Sequence, residues 1–527
     1  MFSPVDTLAR PKRKKAAQKA LAKPGSLRHL PGKKSRGIKP LTQSPYTPAS
    51  DASGPTSPAA PVLVVDLDGT LLRSDMLYEC LWSAMGRDGW ATLKAAARLR
   101  EGRAAVKRAL VDLSEVEVAT LPYDADVVAR IRTWRAGGGR CILATASDQA
   151  LADKVAQHLG LFDEVYGSDG SRNLKGADKA AFLRDHLPGG FTYMGDSAAD
   201  LPVWEQADAA ISVGASPKVV AALDASQTPA EHLPKAPPYR ALVRAIRPQQ
   251  WLKNLLVAIP LIADPGHGFE ALLPIIAAFV ALSFAASAGY LINDLLDLND
   301  DRSHPRKCTR PFAAGTLSPQ LGTLAIPVLL VLSALISLLV SPALTGVVAV
   351  YFGATVAYSV KLKQHTLLDI CVLAFLFTLR IIAGGVAITS GLSVWILAFS
   401  MFIFFALAAV KRLAELTDRE TAGRQASRRG YVAEDRRIIS QMAITSGYLA
   451  VLVLALYVDE PMTQSKFATP WLLWGVCPLL LFWISRMVLV ADRGEMHDDP
   501  MIFAVTNSTS RLVIVFCGLI VAAAMFL

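Results

Sequence analysis

Nineteen residues, NDLLDLNDDRSHPRKCTRP from Asn293 to Pro311, hold four aspartates and four basic side chains and follow directly on an apolar stretch, Ala271 to Ile292. On a helix turning about 100° per residue, Asp294, Asp297 and Asp301 fall within about 60° of one another, and Asp300 lies farther round. Carboxylates crowded on one face repel each other and are costly near lipid. A hard divalent cation relieves both problems, and with the adjoining basic run this is the chemistry of a metal-held diphosphate. The bland alternative is a solvated helix end at a membrane surface.

A second set of chemical residues lies nearer the N-terminus. Asp66 and Asp68 stand in PVLVVDLDGTLL, Thr145 closes CILATAS, Lys179 lies in LKGADKAAFL, and Asp196 and Asp200 lie in FTYMGDSAAD. Two aspartates two residues apart in a loop can divide labour, one attacking phosphorus and the other handling the leaving-group proton. A lysine offsets the accumulated charge, Lys179 before Lys175. Three short apolar strands alternate here with helical stretches, which predicts a doubly wound α/β domain over residues 61–215 with its site at the carboxyl ends of the strands. The largely helical and basic stretch 75–140 (Arg87, Lys94, Arg98, Arg100, Arg103, Lys107, Arg108) reads as a helical cap over that site.

The elements that must hold the first set are membrane helices. The chain has 527 residues, 52% of them hydrophobic, and the apolar runs concentrate in the C-terminal half. Nine spans are predicted, at 251–263, 271–293, 321–340, 342–360, 366–388, 391–410, 438–457, 469–490 and 510–527, making 244–527 an all-α bundle. The connections at 294–320, 361–365, 411–437 and 491–509 carry nearly all the Lys and Arg of this half, so they and the aspartates are expected on the cytoplasmic face of the inner (plasma) membrane. Residues 216–243 contain five prolines before Arg240 and read as a semi-rigid spacer. The first 50 residues carry 12 Lys or Arg against Asp6 alone, net +11 of the chain's +10, so residues 1–60 are expected to be a disordered basic arm. Such an arm suits anionic lipid headgroups better than nucleic acid, and a merely solvated tail is as consistent. The six cysteines show no CxxC or metal-ligand spacing. Oligomeric state is not legible.

The soluble segment resembles the haloacid dehalogenase phosphatase superfamily through all four dispersed motifs, DLDGT, the Thr145 strand end, Lys179 and GDSAAD. The resemblance implies Asp66 as nucleophile, Asp68 as general acid/base, and Thr145 and Lys179 as phosphoryl binders. It also implies Mg²⁺ held by Asp66, Asp196 and the backbone of Asp68, with Asp200 in support. The alternative is a degenerate domain kept as a regulator.

NDxxDxxxD at the end of a span resembles the UbiA superfamily of intramembrane prenyltransferases. The finer likeness is to its decaprenylphosphoryl-5-phosphoribose synthase branch, carried by AIRPQQWLKN, AASAGYLINDLLDLNDDRSHPRKCTRPFAAG, AYSVKLKQHTLLDICV, LRIIAGGVA and KRLAEL. Ordinary members carry a second acidic motif, DxxxD, after the sixth span. Here that loop begins Lys411, Arg412, Glu415 and continues with Arg419, Arg424, Arg428 and Arg429. More cations and fewer carboxylates suit substrates with extra phosphates.

The resemblance therefore implies phosphoribosyl diphosphate and polyprenyl phosphate as substrates, with Asp294, Asp297 and Asp301 holding Mg²⁺ and diphosphate and Asn293 orienting them. Lys307, Arg310, Lys361, Lys363 and Lys411 would neutralise phosphates, or serve as ordinary membrane anchors. Arg247, Lys253 and Asn254 would touch the lipid phosphate or anchor the first helix, and Tyr358 and Asp369 would border the pocket. Arg380, mid-span, reads as an ion-pair partner or a substrate ligand, and the HDDP cluster at 497–500 as a metal site or a helix cap. Fusion to a phosphomonoesterase implies two consecutive steps, phosphoribosyl transfer to the lipid and removal of the 5-phosphate. The competitors are a prenyltransferase alkylating an aromatic acceptor with an accessory or regulatory phosphatase, and a non-catalytic anchor displaying the phosphatase.

Overall fold

The computed structural model describes residues 60–97, 103–169, 173–264, 266–421, 430–496 and 499–527. The basic arm, Arg98 and Arg100 of the cap, Arg424, Arg428 and Arg429, and His497 and Asp498 lie outside the described residues.

Six parallel strands form the soluble sheet: β1 (Val62–Val65), β2 (Arg140–Asp148), β3 (Glu164–Ser168), β4 (Thr192–Gly195), β5 (Ala209–Val213) and β6 (Ala230–Leu233), in the order β3-β2-β1-β4-β5-β6. The central strand VLVV is β-branched or aliphatic throughout and buried on both faces, as a covered parallel strand must be. The strand order reverses between β1 and β4, and the crevice at such a reversal is where doubly wound sheets bind ligands. Asp66 and Asp68 follow β1 directly, and Asp196 follows β4.

Two boundaries differ from expectation. The cap comprises α1 (Met76–Arg87), α2 (Gly89–Ala97) and α3 (Arg103–Leu113). The next helix, α4 (Ala125–Ala136), is instead the crossover from β1 to β2, with Val127 and Ile131 buried in the core beneath the sheet. The expected spacer is also shorter, because Pro217–Asp224 is helical and β6 pairs with β5 from Ala210↔Ala230 to Val213↔Leu233. Pro217 sits in the first turn of that helix, where proline is tolerated. Only Pro234, Pro237 and Pro238 remain between the sheet and the helix Tyr239–Ala245.

Among the described residues, eight helices are long and apolar enough to cross a membrane: Phe269–Leu296, Pro319–Val340, Pro342–Val360, Leu368–Ala387, Val394–Glu420, Asp435–Asp459, Pro470–Asp492 and Ser508–Phe526. The protein is therefore an integral membrane protein. The ninth expected span, 251–263, is instead a 3₁₀ segment, Pro248–Ala258, running into a short α-helix, Ile259–Ala263, with prolines near the start of each part. It packs into the bundle at Gly384, where a Cβ would collide with the Val257 carbonyl.

The cap sits on the membrane half. Trp82 of α1 joins a cluster with Leu291, Leu295, Leu298 and Phe312, and its indole donates to Thr323 Oγ1 at 2.8 Å. Beside it, Glu79 receives Arg302 through both guanidinium ends, at 2.6 and 3.1 Å, and accepts a short hydrogen bond from Ser74 Oγ. The Glu79 and Arg302 side chains are only 2% and 3% exposed. Removing one member of such a pair strands the other charge, at a cost of about 3–5 kcal/mol, whereas replacing both by apolar residues is often neutral. Glu79→Ala is thus expected to lower the thermal unfolding temperature of the detergent-solubilised protein sharply, and Glu79→Leu/Arg302→Met to recover most of the loss. Equal losses in both variants would contradict this account.

Candidate functional site

In the soluble domain the carboxylate oxygens of Asp66, Asp196 and Asp200 lie within 4.8 Å of one another. Burial pushes Asp66 up to about 7, with Asp200 and Asp68 adding to the effect and Lys179 opposing it; burial, Asp66 and Asp200 push Asp196 up to about 8. Three crowded, desolvated carboxylates call for a cation, so the donor set fits a hard divalent ion. Gly69, at φ 76°, lets the loop pass this cluster, since a Cβ there would occupy the Asp196 carboxylate.

Lys179 Nζ donates to Asp66 Oδ1 at 2.9 Å and is buried, whereas Lys175 is exposed. Thr145 is fully buried and accepts from the Ser147 amide at 3.0 Å. The Asp68 side chain stands apart from the three-carboxylate cluster. It accepts from the Met76 amide at the start of α1 (2.8 Å) and from Ser147 Oγ (2.6 Å), and burial, with Asp75 adding, raises it to about 6. A carboxyl held partly protonated near neutrality suits proton exchange with a leaving group. Asp200 is occupied as a brace: Oδ2 accepts the Asp196 and Ser197 amides, and Oδ1 accepts the Tyr193 hydroxyl. Tyr193, which motif reading missed, also receives Lys179 Nζ at 2.9 Å.

The membrane aspartates do not share one helical face. The helix Leu272–Leu296 ends before Asp297, whose φ of −96° and ψ of 15° break the run, and a separate short helix, Leu298–Ser303, carries Asp301. Asp294 and Asp301 are nevertheless gathered, because Arg310 reaches both (3.1 and 2.6 Å) and Arg247 reaches both oxygens of Asp294 (2.5 and 2.7 Å). Lys307 stands 3.8 Å from Asp301. Asp297 turns to Lys363 at 3.0 Å, and Lys363 also donates to Asn293 at 3.2 Å. Each of these three carboxylates therefore faces a cation of the protein's own, so acidic and basic groups interleave across the array. Lys361 is exposed, with no contact to the aspartates among the described residues.

The other candidates fall in two neighbouring groups. Lys253 and Lys411 both donate to Asp499 Oδ2, at 3.1 and 2.8 Å, while Asp499 Oδ1 caps the helix Pro500–Thr506. The lysines hold Asp499 below the ordinary carboxylate range despite its burial. Tyr358 accepts from Arg412, whose fully buried guanidinium also binds Asp369 at 2.5 Å and Glu415. Asp369 in turn accepts from Tyr431. Tyr358 and Asp369 are thus tied into an internal brace around Arg412. Its hub was invisible in sequence because its partners lie up to 54 residues away.

A path connects the two halves: the Met76 amide on Asp68, three residues of α1, the Glu79–Arg302 pair, and Asp301 next to Arg302.

Comparison with known proteins accords with both halves. The UbiA prenyltransferase family matches residues 255–525, and haloacid dehalogenase-like hydrolase matches residues 63–205. The uncharacterized protein y4nM of Sinorhizobium fredii is 38% identical over 473 residues, 88% of this chain and 90% of its own. Decaprenyl-phosphate phosphoribosyltransferase of Mycobacterium tuberculosis is 33% identical over 279 residues, 52% of this chain and 90% of its own. A UbiA homolog from Archaeoglobus fulgidus, solved bound to GPP and Mg²⁺, superposes with a TM-score of 0.41 at 15% identity, over 54% of this chain and 99% of its own. The family match covers half the chain and falls on the segment that carries the aspartates, so the protein belongs to the UbiA prenyltransferase family, with a haloacid dehalogenase-like domain fused ahead of the membrane bundle.

Proposed function

We propose that the protein transfers 5-phosphoribosyl from phosphoribosyl diphosphate to a polyprenyl phosphate and then removes the 5-phosphate, giving polyprenylphosphoryl ribose. The observation that carries the first step is the interleaving of Asp294, Asp297 and Asp301 with Arg247, Arg310, Lys307 and Lys363. In this reading the sugar C1–diphosphate bond breaks as a lipid phosphate oxygen bonds to C1, and the departing charge falls on this array. Mg²⁺ bound by the aspartates would supply further neutralisation of the leaving diphosphate. The names of the 33–40% identical relatives support the same substrate pair.

In the second step Asp66 attacks the 5-phosphoryl group and Asp68 protonates the departing ribosyl oxygen. Water, deprotonated by Asp68, then releases phosphate from Asp66. Lys179 holds phosphoryl oxygens, and Mg²⁺ at Asp66, Asp196 and Asp200 would offset their charge. The loop charge supports a cytoplasmic orientation for both steps, the side on which a soluble sugar phosphate would be supplied.

The test is to incubate the intact protein in lipid with Mg²⁺, labelled phosphoribosyl diphosphate and a polyprenyl phosphate. Label should enter lipid and be recovered without its 5-phosphate. No labelled lipid, with prenyl diphosphate consumed when it is supplied under the same conditions, would return the membrane half to aromatic prenylation. A smaller effect is expected at Tyr193. Tyr193→Phe removes the hydroxyl between Lys179 and Asp200, a bond to charged groups worth about 1.5–3 kcal/mol. Hydrolysis of p-nitrophenyl phosphate should therefore slow by about 10- to 100-fold, and an unchanged rate would remove Tyr193 from the site.

A further inference from the structure

Among the described residues, three that are not glycine have a positive φ: Arg247, Leu367 and Thr389. Arg247 is held by Asp294, and Thr389 lies at the end of the helix Leu368–Ala387 away from the aspartates. Leu367 opens that helix, at φ 68° and ψ −40°. A leucine there is strained by its own Cβ, so the surrounding structure must hold it in place. Packing of the side chain does not, because that side chain is exposed. A glycine would make the same turn without strain.

What holds it is its amide. Leu367 N donates to the Tyr431 hydroxyl at 2.9 Å, and the buried Tyr431 donates in turn to Asp369 Oδ1 at 2.5 Å. Beside them Gly430 packs so closely that a Cβ on it would stand 2.9 Å from Thr366 Oγ1. Residues 430–431 are thus a wall against which the turn is set.

The turn carries a member of the aspartate array. Gln364 N bonds to the Lys361 carbonyl, His365 N to that of Leu362 and Asp369 N to that of His365, at 3.1, 3.2 and 3.2 Å, so residues 361–369 form one hydrogen-bonded unit. Lys363 stands within it and reaches both oxygens of Asp297 at 3.0 Å and Asn293 at 3.2 Å. A lysine stem is flexible, so where its ammonium rests depends on where the backbone aims it. We propose that Tyr431 is a positioning residue for the transfer step: by holding Leu367 in its strained turn, it keeps Lys363 aimed at Asp297. The proposal rests on the reading of this array as a diphosphate site, and it holds whether the diphosphate departs from a sugar or from a prenyl carbon.

The test measures label transfer by the full chain in nanodiscs, with donor and acceptor concentrations varied separately. Tyr431→Phe should lower kcat/KM for phosphoribosyl diphosphate by about 10-fold and leave KM for the polyprenyl phosphate within about twofold. Added to Lys363→Gln, the same change should cost less than about twofold more, because the two residues act along one line. Leu367→Gly should restore most of what Tyr431→Phe loses, since glycine takes the turn unaided. Leu367→Val leaves the Tyr431–Asp369–Arg412 bonds in place but resists a positive φ, so it should reproduce the loss. That variant carries the test if Tyr431→Phe folds poorly.

A Tyr431 that serves only the brace around Arg412 predicts the opposite pattern. Its loss would then add to that of Lys363→Gln, Leu367→Gly would rescue nothing, and Leu367→Val would keep full activity. That pattern would overturn the proposal. A parent that labels no lipid from phosphoribosyl diphosphate yet consumes prenyl diphosphate would sink the phosphoribosyl reading alone, and the same variants would then be scored on the prenyl donor. A parent that consumes neither donor would overturn both.

Discussion

Asp66→Asn should leave the intact protein able to label lipid from phosphoribosyl diphosphate but unable to take off the 5-phosphate, with dephosphorylation falling by at least about 10³-fold. An amide cannot form the phosphoryl bond that a carboxylate nucleophile forms, and removal of a nucleophile typically leaves only the residual contribution of binding and charge stabilisation. The change is close to isosteric, so Lys179 and the Tyr193–Asp200 brace keep a polar neighbour at the same place. The measurement is the mass of the labelled lipid: product heavier by one phosphate in Asp66→Asn, and lighter by that amount in the parent. Accumulation of the phosphorylated lipid by the parent itself on prolonged incubation would refute the second step.

The complementary result is expected at Asp294. Asp294→Asn should abolish entry of label into lipid, by about 10³-fold or more, while p-nitrophenyl phosphate hydrolysis persists. Asp294 is 2% exposed and is the carboxylate on which Arg247 and Arg310 converge. In the proposed reading its loss removes a metal ligand from the array, and it leaves two guanidinium groups without their common partner. Transfer retained within a few-fold would mean that the aspartates only close the helix end, and would favour the anchor reading of the membrane half.

Much of the carboxylate site of the haloacid dehalogenase-like domain is legible in the sequence because its chemistry is local. A β-branched strand running into DLDGT places Asp66 and Asp68 at a strand end, and GDSAAD does the same for Asp196 and Asp200. Residues whose role depends on a distant partner leave no such trace. Glu79 looks like an ordinary helix residue until Arg302, 223 positions later, is seen to meet it. Asp499 gains its meaning from Lys253, 246 positions earlier. Spacing marks the array at 294–301, but a shared helical face does not follow from it, because a single residue, Asp297, leaves the helical region. Hydropathy locates the eight long spans, which are continuous apolar runs, whereas 251–263 divides between a 3₁₀ segment and a short helix that carries Pro260 in its first turn. The proline count at 216–243 hid a helix and an edge strand because both are short, and Pro217 is itself a helix starter.

The docking face on α1 has a consequence for how the chain is made. The haloacid dehalogenase-like half leaves the ribosome first, yet Trp82 finds Thr323, and Glu79 finds Arg302, only after more than two hundred further residues have been synthesised. Until then the nascent domain presents a bare indole beside a carboxylate awaiting its guanidinium. The contacts that seat α1 therefore form only once the membrane half is in place, which makes docking of the soluble half the later event.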